Sequence, residues 1–456
     1  MCDTANQSRK FQDDHVFQEI SKLLTLKVED KAINNRHLFM VERDIIPHMK
    51  KADDLFAHMY KEIVFGGSYY KGTKFGKPDE YDLLMVVKLP IDYSKIIIDT
   101  DHENYAYVKF KVDKNDISNQ LDERSRKIIS KWITADGYLN QNRFREWMQG
   151  VFTKGVDRLP INLGLFNKSN LNCNSSTQEN FRETPTTNLP GPRFSAQASA
   201  HPLNINNQNP NTCPASTREN LWEIPTMPTN PSTPTSIPYI VQTGTSGPAF
   251  PVKMITPEGC MISIDLVPAL EFENIPLGNG YRKLNGTKYS WLTVAKPIKD
   301  DLIGKGALWR VCFYKQEKAF LKDDLNGEIK PVIRMMKKFR DTQNWKGLCS
   351  YFIETIFYHM LDRQHNDQSE SLARCTRTWI FIKALKELEK AMQTKTLRYF
   401  WHPKFNLFEK LPTETLENWA HSLRRIINKI EGDFEDNPYV LADVVLGGNG
   451  RDKLAM

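Results

Sequence analysis

The sequence predicts an α/β (α+β) bilobal fold, a sheet-bearing lobe followed by a helical one. Three observations predict it. Short apolar runs of strand length occur at 81–90, 105–112 and 259–267. Beyond about residue 305 the apolar spacing turns helical, as in Ile333, Met336 and Phe339, then Phe352, Ile356 and Phe357, then Trp379, Ile380, Phe381, Leu385 and Leu388. Between them, from Ser169 to Thr245, composition collapses into Asn, Pro, Ser and Thr, which splits the first lobe. A chain of 456 residues is long enough for two lobes sharing a substantial core.

Taken in order, residues 15–63 read as a long helical region leading to Gly66-Gly67-Ser68. That trio is a tight turn whose exposed N–H groups suit a phosphate oxygen. Twelve residues on, Glu80-Tyr81-Asp82 opens the buried-strand run Leu83-Leu84-Met85-Val86-Val87. Alternate side chains of a strand share a face, so Glu80 and Asp82 point the same way, about 6 to 7 Å apart. Two carboxylates beside a phosphate-holding turn are half of a magnesium–triphosphate site. Residues 122–150 read as helix, and Met261-Ile262-Ser263-Ile264-Asp265-Leu266-Val267 as a strand with one charge inside it. An ionised Asp there is costly unless it is paired or binds a metal. If the two strands are neighbours, Asp265 joins Glu80 and Asp82 in a cluster that needs divalent ions. Two such ions clamp an α-phosphate, activate a hydroxyl and steady a pyrophosphate leaving group.

Each piece alone also fits a plainer role. Glu80 and Asp82 suit a solvated strand entrance, and Asp265 suits a salt-bridged strand. No G-x-x-x-x-G-K-[ST] run occurs, which argues against an ordinary NTPase.

Further residues carry a resemblance. The stretches GGSYYKGTKFGKPDEYDLL, MISIDLVPALEF, LWRVCFYKQEKAFL, LCSYFIETIFYHM and YFWHPKFNLF stand in the order found in polymerase-beta-like nucleotidyltransferases of the Mab-21 group. Within that group the chain resembles cyclic GMP-AMP synthase and the animal receptors like it, over nearly its whole length apart from residues 169–249. The resemblance implies a twisted mixed sheet with a helical Mab-21-type lobe. It implies nucleotidyltransferase core at 15–168 and 250–304 and the helical lobe at 305–440. Glu80, Asp82 and Asp265 match its metal-binding catalytic triad, with Mg²⁺ or Mn²⁺ as the ions and ATP and GTP as substrates. Gly67 and Ser68 match the triphosphate turn. Arg310 matches an arginine holding the acceptor nucleotide, with Tyr314, Lys315, Gln316 and Glu317 along the same wall. Lys337 matches a lysine reaching the donor phosphates, and Ser350 and Tyr351 a hydroxyl–ring pair for phosphate and base. Residue chemistry agrees: arginine is a rigid fork and lysine a mobile point charge, while a tyrosine ring stacks on any base. Read alone, Arg310 also suits a surface ion pair and Tyr351 a helix core.

The departures inform as much. Gly66 stands where the vertebrate DNA sensor has a threonine, a change expected to leave the turn intact. That enzyme carries a zinc thumb of one His and three Cys, whereas residues 319–330 here hold neither. No structural zinc is expected. The implied function is a nucleic-acid-activated cyclic GMP-AMP synthase of innate immunity, with double-stranded RNA favoured over DNA as the activator. Its product diffuses to a downstream cyclic-dinucleotide receptor. The rivals are a template-independent enzyme making linear products and an inactive Mab-21-like scaffold.

Charge and cysteines set bounds. The net charge is +7 with pI about 8.8, and Lys61, Lys71, Lys74, Lys154, Lys337 and Arg340 are among the basic residues that suit either a phosphate-binding face or ordinary surface. Seven scattered cysteines give no secreted disulfide scaffold, and Cys312, Cys349 and Cys375 read as core fillers. No leader-like N-terminus or 18-residue apolar run occurs, so a cytoplasmic protein without membrane contact is expected. The segment 169–249 is expected to be a disordered insertion. It holds an imperfect duplication, Ser176-Thr177-Gln178-Glu179-Asn180 recurring as Ser216-Thr217-Arg218-Glu219-Asn220. Its two copies are too poor in apolar residues to build a repeat core.

Overall fold

In chain order, α1 (His15–Leu24), α2 (Val28–Met40), a π turn at Val41–Ile45, α3 (Ile46–Ala52) and α4 (Asp54–Met59) lead into strand β1 (Tyr60–Phe65). The computed structural model describes residues 11–76, 80–100, 106–157, 240–243, 249–255, 261–273, 277–278, 280–282, 290–296, 306–322, 327–366 and 372–455. All of these fall within one compact unit. The long N-terminal helical region therefore ends at Met59, earlier than its pattern implies. Lys61-Glu62-Ile63-Val64 alternates, and the β-branched pair favours an extended chain.

The short helix α5 (Gly67–Lys71) follows, then β2 (Glu80–Val87), β3 (Ile97–Asp99), β4 (Tyr107–Lys111), α6 (Glu123–Trp132) and α7 (Gln141–Asp157). Then come β5 (Ile240–Thr243), β6 (Phe250–Ile255), the long β7 (Met261–Glu273), β8 (Ser290–Val294) and β9 (Trp309–Cys312). The disorder expected for 169–249 lies outside the described residues except at its end. There β5 pairs antiparallel with β6, so the folded chain resumes before residue 250. The sheet runs β1-β2-β7-β8-β9-β4-β3, with β6 pairing β5 and β7. Among the described residues only the β2–β7 pairing is parallel, which makes the sheet mixed. Pro268, unable to donate a ladder bond, sits where one edge of β7 passes from β6 to β8.

Helices α8 (Tyr314–Lys322), α9 (Ile329–Thr342), α10 (Ser350–Asn366) and α11 (Arg377–Gln393) form the helical region. A β10 (Arg398–Tyr399)–β11 (His402–Asn406) hairpin, α12 (Thr413–Asp433), α13 (Val440–Leu446) and α14 (Gly450–Leu454) complete it. The segment before α1 is tied here, since the Asp14 carboxylate accepts from the backbone N–H of Arg377 and Thr378 at the start of α11. Those orphan donors are thus satisfied from a distant segment.

Period-two alternation divides the two sheet faces. Tyr81, Leu83, Met85 and Val87 of β2 join Ile262, Ile264, Leu266 and Phe272 of β7 in the main core. The other face carries a smaller apolar cluster of Leu84, Val86, Ala269, Leu292, Val294 and Tyr314. Glu80, Asp82 and Asp265 share this second face by register. Cys312 and Cys375 are half-buried, but Cys349 is exposed. It lies in the turn just before α10 rather than on the helix's apolar stripe.

Candidate active site

The double glycine is explained by its neighbour. β1 runs antiparallel to β2 up to the Phe65–Leu83 pair, which brings Gly66 N–H to the Asp82 carbonyl at 2.7 Å. A Cβ on Gly66 would stand 2.9 Å from that carbonyl oxygen, and one on Gly67 would stand 2.2 Å from Asp82 Oδ2. Gly67 also has φ +71, a conformation costly for any residue with a Cβ. The turn and the Asp82 carboxylate therefore occupy one site. Beyond Ser68 the chain folds back on itself, with the Ser68 carbonyl accepting from the N–H of Thr73 at 2.9 Å and of Lys74 at 3.0 Å.

The parallel pairing of β2 with β7 sets Glu80 opposite Ser263 and Asp82 opposite Asp265. Three carboxylates thus lie on one face at the same end of two central strands. Glu80 and Asp82 are exposed and Asp265 is half-buried. Loss of surrounding water, then the charges of Asp265 and Glu80, push Asp82 above the usual carboxylate range. Desolvation and then Glu80 do the same to Asp265. Like charges that raise one another's proton affinity are poised to take up a cation. An all-oxygen donor set fits a hard divalent ion such as Mg²⁺ or Mn²⁺. Among the described residues, however, no three His, Cys, Asp or Glu side chains converge closely enough to hold a metal ion by themselves.

The Mab-21 protein nucleotidyltransferase domain matches residues 69–323, and the Mab-21 protein HhH/H2TH-like domain matches residues 328–425. A cyclic GMP-AMP synthase-like receptor from Trichogramma pretiosum is 33% identical over 449 residues, 98% of this chain and 78% of that relative. The chain belongs to the Mab-21 nucleotidyltransferase family. A receptor of the same description from Microplitis demolitor is 32% identical, covering 93% of this chain and 67% of its own. One from Aethina tumida is 26% identical, covering 93% and 89%. The protein is accordingly a nucleotidyltransferase similar to cyclic GMP-AMP synthase.

The nucleotide contacts expected of a Mab-21 enzyme fall into two groups. Arg310 pairs with Val294 and Val294 with Ala269, which places Arg310 on the same sheet face as Asp265. Against desolvation, Tyr107, its cross-strand neighbour on β4, and Tyr399 and Tyr351 raise its proton affinity through their charge. Tyr314 is buried at the start of α8 in the same apolar cluster as Leu84 and Val86, and its hydroxyl has no hydrogen-bond partner among the described residues. Tyr351, half-buried on α10, donates its hydroxyl to Glu317 Oε1 at 2.8 Å. Ser350 accepts from Arg340 Nη1 at 3.0 Å, and Gln316 is half-buried on α8.

Lys315 and Lys337 go elsewhere. Lys315 Nζ binds Glu62 at 2.7 Å and Glu271 at 2.8 Å. Glu271 lies six residues along β7 from Asp265, about 20 Å away in an extended strand. Lys337 is only 2% exposed and donates to Glu354 at 2.7 Å and Thr73 at 3.1 Å. Lys71, counted among the basic surface residues, is also buried, and neither lysine belongs to a phosphate-binding face. Sequence reasoning missed Glu354, Thr73 and Tyr358, the partners of these two lysines. No local signal marks them, because Lys71 meets Glu317 and Glu354 across 246 and 283 residues of chain. A cavity of about 620 Å³ lined by Lys95, Lys111, Asp113 and Asp136 contains none of the site residues.

Proposed function

We propose that this nucleotidyltransferase is a nucleic-acid-activated synthase that joins ATP and GTP into cyclic GMP-AMP as an innate immune messenger. The observation that carries this reading is the register pairing of Asp82 with Asp265, beside a glycine turn that presses on Asp82. Mg²⁺ or Mn²⁺ held by Glu80, Asp82 and Asp265 would supply charge neutralisation and a more acidic attacking hydroxyl. The chain's residues do the positioning, which dominates phosphoryl transfer. Gly67 and Ser68 present backbone N–H groups to the donor triphosphate. Asp265 faces the acceptor sugar hydroxyl, Arg310 offers its fork to the acceptor, and the Tyr351 ring stacks on a base. After the first bond forms and pyrophosphate leaves, the linear product re-enters reversed, and attack on its remaining α-phosphorus closes the ring and releases a second pyrophosphate.

The activator is proposed to be double-stranded RNA, read through its backbone shape and charge. Support comes from the +7 net charge and the segment 319–330, which offers zinc no His or Cys. The relatives bear the name receptor. No helix among the described residues is long and apolar enough to cross a membrane, and a cytoplasmic enzyme whose product diffuses to a cyclic-dinucleotide receptor is the corresponding proposal.

The test is incubation of purified protein with labelled ATP and GTP, Mg²⁺ or Mn²⁺, and no duplex, long double-stranded RNA or double-stranded DNA. A phosphatase-resistant cyclic dinucleotide formed only with RNA is the expected result. Linear products under every condition would overturn ring closure, and equal rates without a duplex would overturn activation.

A further inference from the structure

Four buried charges connect the glycine turn to the helical region. Lys71 is 6% exposed, and its ammonium donates to Glu317 Oε2 at 2.6 Å, Glu354 Oε2 at 3.0 Å and the Tyr358 hydroxyl at 3.1 Å. Three rings surround it, with centroids of Tyr314, Tyr351 and Tyr358 at 5.4, 5.9 and 5.8 Å. The second oxygen of each glutamate is also used. Glu317 Oε1 accepts from the Tyr351 hydroxyl and, at 3.0 Å, from Trp401 Nε1. Glu354 Oε1 accepts from Lys337 at 2.7 Å and Thr73 Oγ1 at 3.0 Å. Arg334 of α9 holds the Gly72 carbonyl at 2.7 Å. Two ammonium groups and two carboxylates balance, as buried charge requires.

We infer that Lys71 is a positioning residue that sets the Gly67–Ser68 turn and the Tyr351 ring in fixed register with each other. The inference rests on the proposed nucleotide site, where the turn takes the phosphates and the ring takes a base. Lys71 lies three residues beyond Ser68, in a segment closed by the Thr73 and Lys74 bonds to the Ser68 carbonyl, so moving its ammonium moves the turn. At its other end the same ammonium orients Glu317, and Glu317 fixes the Tyr351 hydroxyl. An apolar side chain of similar volume fills the space but orients neither carboxylate. Lysine here determines the distance between the phosphate end and the base end of the site.

The test uses the full chain with three variants. Lys71→Met leaves a net buried charge and loses stability. Lys71→Met with Glu317→Gln restores neutrality and keeps the Lys337–Glu354 pair. Glu317→Gln alone, which retains the Lys71–Glu354 bond, controls for the change at residue 317. ATP affinity is measured by calorimetry, and KM and kcat from product formation. The expected result is that the double variant regains the melting temperature lost in Lys71→Met, while its ATP affinity falls and its KM rises by about tenfold. The single Glu317→Gln change has a smaller effect on both. Wild-type affinity and KM in the folded double variant would reduce the network to a structural role and overturn the inference. If the wild type makes no product with any duplex, the proposed reaction fails, and the calorimetric comparison alone decides the role of Lys71.

Discussion

Two groups of charged residues flank the glycine turn and follow opposite rules. Lys71, Lys337, Glu317 and Glu354 are buried, opposite in sign and hydrogen-bonded to one another or to neighbouring hydroxyls. Glu80, Asp82 and Asp265 are of one sign, the first two exposed and Asp265 half-buried. Burial raises the proton affinity of any carboxylate, but the Lys337 and Lys71 ammonium groups overcome it at Glu354 and hold that group far below the usual glutamate value. At Asp82 the neighbouring charges add to desolvation instead. Charge is balanced within the buried group and unbalanced among the three carboxylates, where the proposed reaction would place its cations. A single loop, residues 66–74, touches both groups.

The largest effect expected is on the unbalanced side. Glu80→Gln with Asp82→Asn should lower synthesis by about three orders of magnitude or more, with duplex binding unchanged in a filter-binding assay. Retained synthesis would break the contrast at once. On the balanced side, Lys71→Met should lower the unfolding free energy by about 3–5 kcal/mol, because a buried carboxylate is left without its partner. Urea denaturation reads this directly, and a loss below about 1 kcal/mol would place Lys71 among ordinary surface ion pairs.

The face shared by Glu80 and Asp82 follows from strand alternation, and Asp265 was identifiable as a charge in an apolar run. The helical C-terminal region follows from spacing such as Ile333, Met336 and Phe339. The Lys71 network is different, since GGSYYK gives no local sign that its lysine is buried and its partners come from α8 and α10. Strand β1 was hidden behind a helical run, and β5 behind an insertion defined by composition. The Cys349 turn resembled core because Leu348 and the start of α10 flank it.

Acid acts with opposite signs on the two groups of charges. Glu354 is depressed in the folded state, so its stabilisation is present above the unfolded glutamate value and is lost as pH falls through the folded one. Asp82 and Asp265 are raised, so their contribution is present below the unfolded aspartate value and is lost as pH rises through the folded one. Denaturation midpoints should therefore fall less steeply with acid in Glu354→Gln than in the wild type, once each is normalised to neutral pH. In Asp82→Asn they should fall more steeply. A parallel shift of both variants would contradict the assignment.

A smaller effect is expected at the loop itself. Gly67→Ala places a Cβ against Asp82 Oδ2 and strains φ, with an expected cost of about 1–2 kcal/mol. Because the Asp82 carboxylate must move, synthesis should fall further than that cost explains, which assays at matched folded fraction will show. Smallest of all, removing residues 170–235 should leave synthesis near that of the full chain. Loss of folded enzyme would instead assign that segment a structural role.

The most direct test of the central claim is the melting temperature of the wild type and of Asp82→Asn across a Mn²⁺ titration, each with and without ATP. If the three carboxylates hold the ions for nucleotidyl transfer, the wild type gains stability saturably, and more with ATP, while Asp82→Asn gains little. Equal gains in both proteins would show that the ions bind elsewhere and that the unbalanced carboxylates are not the catalytic centre.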